Sequence, residues 1–127
     1  MSKIPLILVP GLLCDDALWA PQTKWLSDIA DISVGETLID DSFSNMAERI
    51  LEMAPRHFAL AGLSMGGYVC MEIMRQAPER VERLALFNTS GRADTADQTK
   101  RRKALIELAT IGKFKGVTPR LLPLLIH

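Results

Sequence analysis

Apolar residues gather in four short runs along the chain, and the segments between them have helical periodicity. Three of the runs are continuous and one alternates with polar residues. The three continuous runs are typical of buried strands in a parallel sheet, and the alternating run is a further strand candidate. The predicted strands are Leu6–Val9, Ile32–Leu38, Phe58–Ala61 and Leu84–Phe87.

Between these runs, apolar residues recur every three or four positions, which indicates amphipathic helices. Trp25 and Ile29 share one face of the first helix, and Met46, Ile50 and Met53 form a stripe that we expect in the core. The predicted helices are Pro21–Ile29, a segment around Met46–Ala54, Tyr68–Gln76, and Thr95 to about Ile111.

The order of these elements predicts the fold class. Ser44 or Asn45 can cap the second helix, Thr95 with Gln98 resembles a capping box, and the charged segment 78–83 is expected to be a turn. Regular alternation of strand and helix predicts an α/β fold: a parallel sheet with helices on both faces and right-handed crossovers. In such sheets, ligands bind at the carboxyl ends of the strands.

Composition excludes several classes of partner. The chain has 127 residues, and its 15 Lys and Arg residues balance its 15 Asp and Glu residues, so nothing electrostatic favours nucleic acid or an anionic membrane. No apolar run is long enough for a signal peptide or a membrane span. Cys14 and Cys70 are therefore expected to be reduced thiols in the cytoplasm. No His or Cys spacing suggests a metal or a cofactor.

One segment of five residues carries the candidate chemistry. Gly62-Leu63-Ser64-Met65-Gly66 fits the pattern G-x-S-x-G between a predicted strand and a predicted helix. In that setting the pattern is typical of a nucleophile elbow, a sharp turn that lifts the serine hydroxyl above the strand. We expect Ser64 to have a positive φ, with glycine required at 62 and 66 because strand and helix pass very close. Gly67 gives further room. The alternative is a glycine-rich turn with a bystander serine.

Two backbone N–H groups are candidate donors to an oxyanion. The N–H of Met65 lies at the start of the helix that follows Ser64. Gly11 follows the first strand and lets the backbone approach a substrate, which makes the N–H of Leu12 the second candidate. A plain strand-to-helix turn explains Gly11 equally well. Because Gly11, Ser64 and Asn88 each follow a strand, we expect them at one edge of the sheet.

The chain resembles the N-terminal half of an α/β-hydrolase-fold protein. Pro10 departs from the family pattern, since many members carry histidine before this glycine. The resemblance implies that residues 1–93 form the N-terminal part of the hydrolase core and that 94–127 begin the cap or lid. It also implies that the chain is truncated before the last strands. The matching segments are Leu8–Leu13, Asp16–Trp19, Gly62–Gly67, Pro78–Val81 and Leu84–Leu86.

The resemblance also implies where the remaining catalytic residues lie. In this family an acid and then a histidine follow the serine, so both would lie beyond residue 127 and this chain alone should be nearly inactive. The order Ser64, Asp94, His127 formally suits a triad within the chain, although Asp94 also suits a helix N-terminus. His57 should lie about 20 Å from Ser64, since an extended strand rises about 3.3 Å per residue. We interpret it as structural or solvent-facing.

Two functions are compatible with these observations. The first is a serine hydrolase acting on a small ester, thioester or related acyl substrate, with Ser64 as nucleophile and the Leu12 and Met65 amides holding the oxyanion. The second is a non-catalytic α/β-hydrolase-like fragment or binding module. The substrate's identity stays open, because specificity in this family resides mostly in cap and late loops. Strand Leu84–Phe87 would be an exposed apolar sheet edge, which predicts self-association.

Overall fold

The computed structural model describes residues 2–112, 115, 119, 120 and 123. Short 3₁₀ turns at Asp16–Trp19 and Pro78–Arg80 precede the first α-helix and the fourth strand. The chain divides into two compact units, Met1–Gly91 and Arg92–His127. The strands are β1 (Ile4–Val9), β2 (Ala30–Val34), β3 (Phe58–Leu63) and β4 (Val81–Phe87), and the helices are α1 (Ala20–Leu26), α2 (Phe43–Met53), α3 (Met65–Gln76) and α4 (Ala96–Thr110).

The four strands form one parallel sheet in the order β2-β1-β3-β4, which confirms the predicted fold class. The chain leaves β1 towards β2 on one side and then crosses back to β3 on the other side. This reversal between β1 and β3 is the place where open α/β sheets bind ligands, at the carboxyl ends of the strands. Val9 pairs with Gly62 at that end, so the loops after β1 and β3 are neighbours.

Strand pleating divides the core into two clusters. Successive side chains point to opposite faces of a sheet, so Ile7 and Val9 face one way and Leu8 faces the other. The first face is covered by α2 and α3, and the second by the 3₁₀ turn that ends at Trp19. Residues buried on the first face are Ile7, Val9, Met46, Ala47, Ile50, Phe58, Leu60, Val69, Cys70 and Ile73.

The prediction for the first helix was wrong in its extent and in its buried face. Helix α1 ends at Leu26 and buries none of its residues, and the side chains of Trp25 and Ile29 are 78% and 62% exposed. The physical reason is the preceding 3₁₀ turn. It places Trp19 over the sheet beside Leu8, with its ring in edge contact with Phe87 at a centroid distance of 6.4 Å.

Three further predictions needed correction. Ser42, which has extended backbone, caps α2 by accepting a hydrogen bond from the N–H of Asn45 at 3.2 Å. Met53 is 81% exposed rather than core, because it lies in the last turn of α2. Strand β2 ends at Val34, since its partner β1 ends one residue after the last pair.

The charged segment 78–83 is only partly a turn. Its first half is the 3₁₀ turn, but Val81 already pairs with Phe58 and Arg83 with Ala59. The register shift between these two pairs accommodates the extra residue, as a β-bulge does.

Helix α4 begins with the predicted capping box. The Thr95 hydroxyl oxygen accepts a hydrogen bond from the N–H of Gln98 at 3.2 Å, and the Gln98 side chain accepts one from the N–H of Thr95 at 2.8 Å. Across the described part of the chain, no helix combines the length and apolar character needed to cross a bilayer.

Candidate active site

Ser64 lies in the sharp turn that joins β3 to α3. Its φ is 54° and its ψ −117°, a backbone conformation that non-glycine residues rarely adopt. The residue is exposed, whereas Gly62 and Gly66 on either side are buried. The turn therefore presents the serine at the carboxyl edge of the sheet.

The two glycines allow the helix to cross the strands at very short distance. A Cβ atom at Gly66 would collide with the carbonyl oxygen of Val9 and lie 2.7 Å from that of Pro10. A Cβ atom at Gly62 would collide with the carbonyl oxygen of Gly66 and lie 2.6 Å from the Cys70 sulfur. Larger residues cannot fit at either position unless the backbone moves.

Cys70 lies beneath this crossing as a packing residue. It is fully buried, and burial raises the pKa of its thiol to about 12. At neutral pH it is therefore a neutral thiol, which is a poor nucleophile.

Strained backbone is concentrated at the same edge of the sheet. Among the described residues, the non-glycine residues with positive φ are Leu13 at 59°, Ser64 at 54° and Asn88 at 46°. They lie in the segments that follow β1, β3 and β4. Such conformations cost about 1–3 kcal/mol each and cluster at functional sites. The sequence predicted this conformation for Ser64 alone.

The end of β4 holds both backbone polar groups of Ser64. Its N–H donates a hydrogen bond to the carbonyl oxygen of Phe87 at 2.9 Å. Its carbonyl oxygen accepts one from the Thr89 hydroxyl at 2.8 Å and another from the N–H of Gly67 at 2.9 Å. Thr89 was missed by sequence reasoning. The available signals were its place after a strand and the extra glycine at 67, which the Thr89 side chain packs against.

The loop after β1 approaches Ser64 closely. A Cβ atom built on Gly11 would lie 3.7 Å from the Ser64 Cβ and 3.5 Å from the Leu63 carbonyl oxygen. The loop turns tightly, with the N–H of Cys14 donating to the Gly11 carbonyl at 3.1 Å. Leu12, the next residue after Gly11, is exposed. Leu12 thus lies in a loop that neighbours Ser64 and the start of α3 at Met65, while the roles of the Leu12 and Met65 amides as oxyanion donors stay predictions.

A cavity of about 350 Å³ adjoins this loop, and acidic side chains line part of it. The Asp15 carboxylate accepts a hydrogen bond from the N–H of Ala17 at 2.9 Å, and that of Glu36 accepts one from the N–H of Leu38 at 2.7 Å. Both carboxylates therefore stabilise local turns. No group of three or more His, Cys, Asp or Glu residues in the described parts of the chain could hold a metal ion.

The other ionisable candidates are placed elsewhere. His57 is exposed and precedes β3, at the opposite end of that strand from Ser64. The Asp94 carboxylate, in the second unit, accepts hydrogen bonds from the Arg102 guanidinium at 2.6 and 3.3 Å. His127 lies outside the described residues.

Known proteins resemble this chain in sequence, although no protein-family model matches it. The putative carbamate hydrolase RutD of Agrobacterium fabrum is 30% identical over 108 residues, which cover 73% of this chain and 41% of that protein. A pimeloyl-[acyl-carrier protein] methyl ester esterase of Aliivibrio salmonicida is 28% identical, over 68% of this chain and 36% of that protein. The chain thus spans less than half the length of these relatives.

Solved structures also resemble this chain. A thermophilic esterase from Thermogutta terrifontis superposes with a TM-score of 0.72 and 26% identity, over 84% of this chain and 44% of the esterase. The parallel sheet and these relatives lead to one assignment. The chain belongs to the α/β-hydrolase-fold family.

Proposed function

We propose that this chain carries the nucleophile and oxyanion loops of a serine hydrolase that acts on a small ester, thioester or related acyl substrate. The observation that carries the proposal is the exposed Ser64, at φ 54° between two buried glycines at the carboxyl edge of the sheet. The hydrolase and esterase names of the relatives support the same reaction class.

In the proposed reaction, the Ser64 hydroxyl attacks the substrate carbonyl while a histidine other than His57 takes its proton. The amides of Leu12 and Met65 donate hydrogen bonds to the carbonyl oxygen as it becomes negative. The bond to the leaving alcohol or thiol then breaks, and the leaving group takes the proton from the histidine. Water hydrolyses the resulting acyl–serine ester, which releases a carboxylic acid and restores the hydroxyl.

We assign the histidine and its acid partner to residues beyond this chain. Without a triad member, turnover by a serine protease falls about a millionfold, so the 127-residue chain alone should be nearly inactive.

Both cysteines are free thiols and one is buried. This supports a reducing, cytoplasmic location, which cell fractionation would check.

Labelling with a fluorophosphonate probe tests the proposal in the protein expressed from its complete reading frame. We expect covalent capture at Ser64, its loss in Ser64→Ala, and its retention in Ser33→Ala, a matched change at an exposed serine of β2. No labelling of the complete, folded protein would refute an activated serine. It would favour a non-catalytic module.

A further inference from the structure

Thr89 makes a contact that bears on the proposed oxyanion donor, on the assumption that the proposed function holds. Its hydroxyl donates to the carbonyl oxygen of Ser64 at 2.8 Å, across 25 positions of sequence. That carbonyl belongs to the same peptide unit as the N–H of Met65. The peptide is trans and planar, so its C=O and N–H point in opposite directions.

Fixing one end of this peptide therefore fixes the other. With its carbonyl held by Thr89 and by the N–H of Gly67, the peptide cannot rotate without breaking two hydrogen bonds. The N–H of Met65 is then held in one direction, at the start of α3. Hydrogen bonds accepted by the carbonyl also polarise the unit, which strengthens the N–H as a donor.

The peptide on the other side of Ser64 is held as well. Its N–H donates to the carbonyl of Phe87, two residues before Thr89. Asn88 lies between them with φ 46°, so the chain turns at the end of β4 and returns to Ser64. Two contacts from one short segment thus restrain both torsions of the strained serine.

Gly67 sets the place of the Thr89 side chain. A Cβ atom at Gly67 would lie 2.6 Å from the Thr89 Cβ, so the threonine packs directly on the glycine. This packing limits the rotamers of Thr89, a β-branched residue that is already restricted at χ1.

We infer that Thr89 is a positioning residue that aims the Met65 N–H at the oxyanion by holding the Ser64 carbonyl. A residue in this role acts on the transition state more than on substrate binding. If Thr89 were purely structural, its replacement would lower the stability of the protein but would not lower kcat selectively over KM.

Thr89→Val and Thr89→Ser test this in the protein expressed from its complete reading frame. Valine keeps the shape and removes the donor, while serine keeps the donor. For a short p-nitrophenyl ester we expect Thr89→Val to lower kcat and the fluorophosphonate labelling rate about 10- to 100-fold. We expect KM to change less than about twofold. Thr89→Ser should stay within about threefold of wild type in all three measurements.

Several outcomes would overturn the inference. They are wild-type kcat in Thr89→Val, an equal loss in Thr89→Ser, or a loss confined to KM. If the valine variant does not fold, Thr89→Ala replaces it, and failure of both to fold would show a structural role instead. A labelled wild type with an unaffected Thr89→Val refutes the positioning role alone. An unlabelled wild type, or labelling that survives Ser64→Ala, refutes the nucleophile and the positioning role together.

Discussion

Ser64 keeps an unfavourable backbone conformation because its surroundings leave no alternative. The carbonyl oxygens of Val9 and Pro10, at the end of β1, lie close to Gly66, and the end of β4 holds the peptides on both sides of the serine. Strain of about 1–3 kcal/mol at one residue is tolerable only in such a restrained setting. The geometry of the candidate nucleophile thus depends on residues from three strands.

Gly66→Ala should lower the free energy of unfolding by about 1–3 kcal/mol, the usual cost of overpacking. Alanine favours a helix over glycine by about 1 kcal/mol, but here the new methyl group meets the backbone carbonyls of Val9 and Pro10. Urea unfolding measures the change. Gly91→Ala is the control, since a Cβ atom there approaches only the Met71 sulfur, at 3.4 Å. Equal stability of the two variants would contradict the close crossing.

Residue-level prediction from sequence succeeded where the cause is local. The positive φ of Ser64 and the space required at Gly62 follow from five consecutive residues. Thr89 could not be found in this way, because its role depends on a contact across 25 positions. The positive φ of Leu13 and Asn88 was not predicted, although asparagine adopts this conformation more readily than most residues.

At the scale of elements, one arginine connects α2 to the segment before β4. The Arg80 guanidinium donates to the carbonyl oxygens of Ala54 and Pro55 at 2.9 Å and to that of Arg56 at 3.3 Å, just past the end of α2. It also lies 5.7 Å from the centre of the Phe58 ring. A cation at a helix C-terminus satisfies carbonyls that have no partner within the helix.

Arg80→Met should lower the free energy of unfolding by about 1–3 kcal/mol, because the partly buried carbonyl of Ala54 and the exposed carbonyls of Pro55 and Arg56 lose a charged donor. Arg80→Lys should recover only part of the loss, since an ammonium group cannot reproduce the planar fork of the guanidinium. Thermal and urea unfolding would measure both. Arg83→Met, at an exposed site on β4, is the control. Equal effects of Arg80→Met and Arg83→Met would rule out this anchoring role.

The elements themselves were predicted to different degrees. The strands were found because short apolar runs are typical of sheet strands, although β4 is largely exposed rather than covered on both faces as its continuous apolar run predicted. The first helix was misjudged because Trp19, rather than Trp25, covers the sheet, and periodicity alone cannot say which tryptophan does so. The cap of α2 was placed two or three residues late, since Ser42, Ser44 and Asn45 are all suitable capping residues.

For the molecule as a whole, the last strand is the feature least covered by its surroundings. Strand β4 lies at the end of the strand order, and no strand among the described residues pairs with its outer side. Leu84, Leu86 and Phe87 on it are exposed. Unpaired backbone groups beside exposed apolar side chains favour strand-to-strand association.

We propose that the 127-residue chain self-associates through β4. Light scattering should detect oligomers or aggregates in wild type and a larger monomer fraction in Leu86→Lys, because a charged lysine on an edge strand opposes pairing. Ile29→Lys, at an exposed apolar site just before β2, should leave the association unchanged. A monodisperse wild-type monomer would contradict the proposal.

The hydrogen bonds that the β4 end makes with Ser64 also have a consequence for biosynthesis. Ser64 leaves the ribosome before Thr89, and at about 5–20 residues per second the delay over 25 positions is about one to five seconds. Throughout that interval the nascent polypeptide already contains Gly62 to Gly66 but lacks the Thr89 hydroxyl that donates a hydrogen bond to the Ser64 carbonyl. A translation product that stops before β4 would therefore contain the whole G-x-S-x-G motif but lack the two hydrogen bonds from the end of β4 that restrain Ser64.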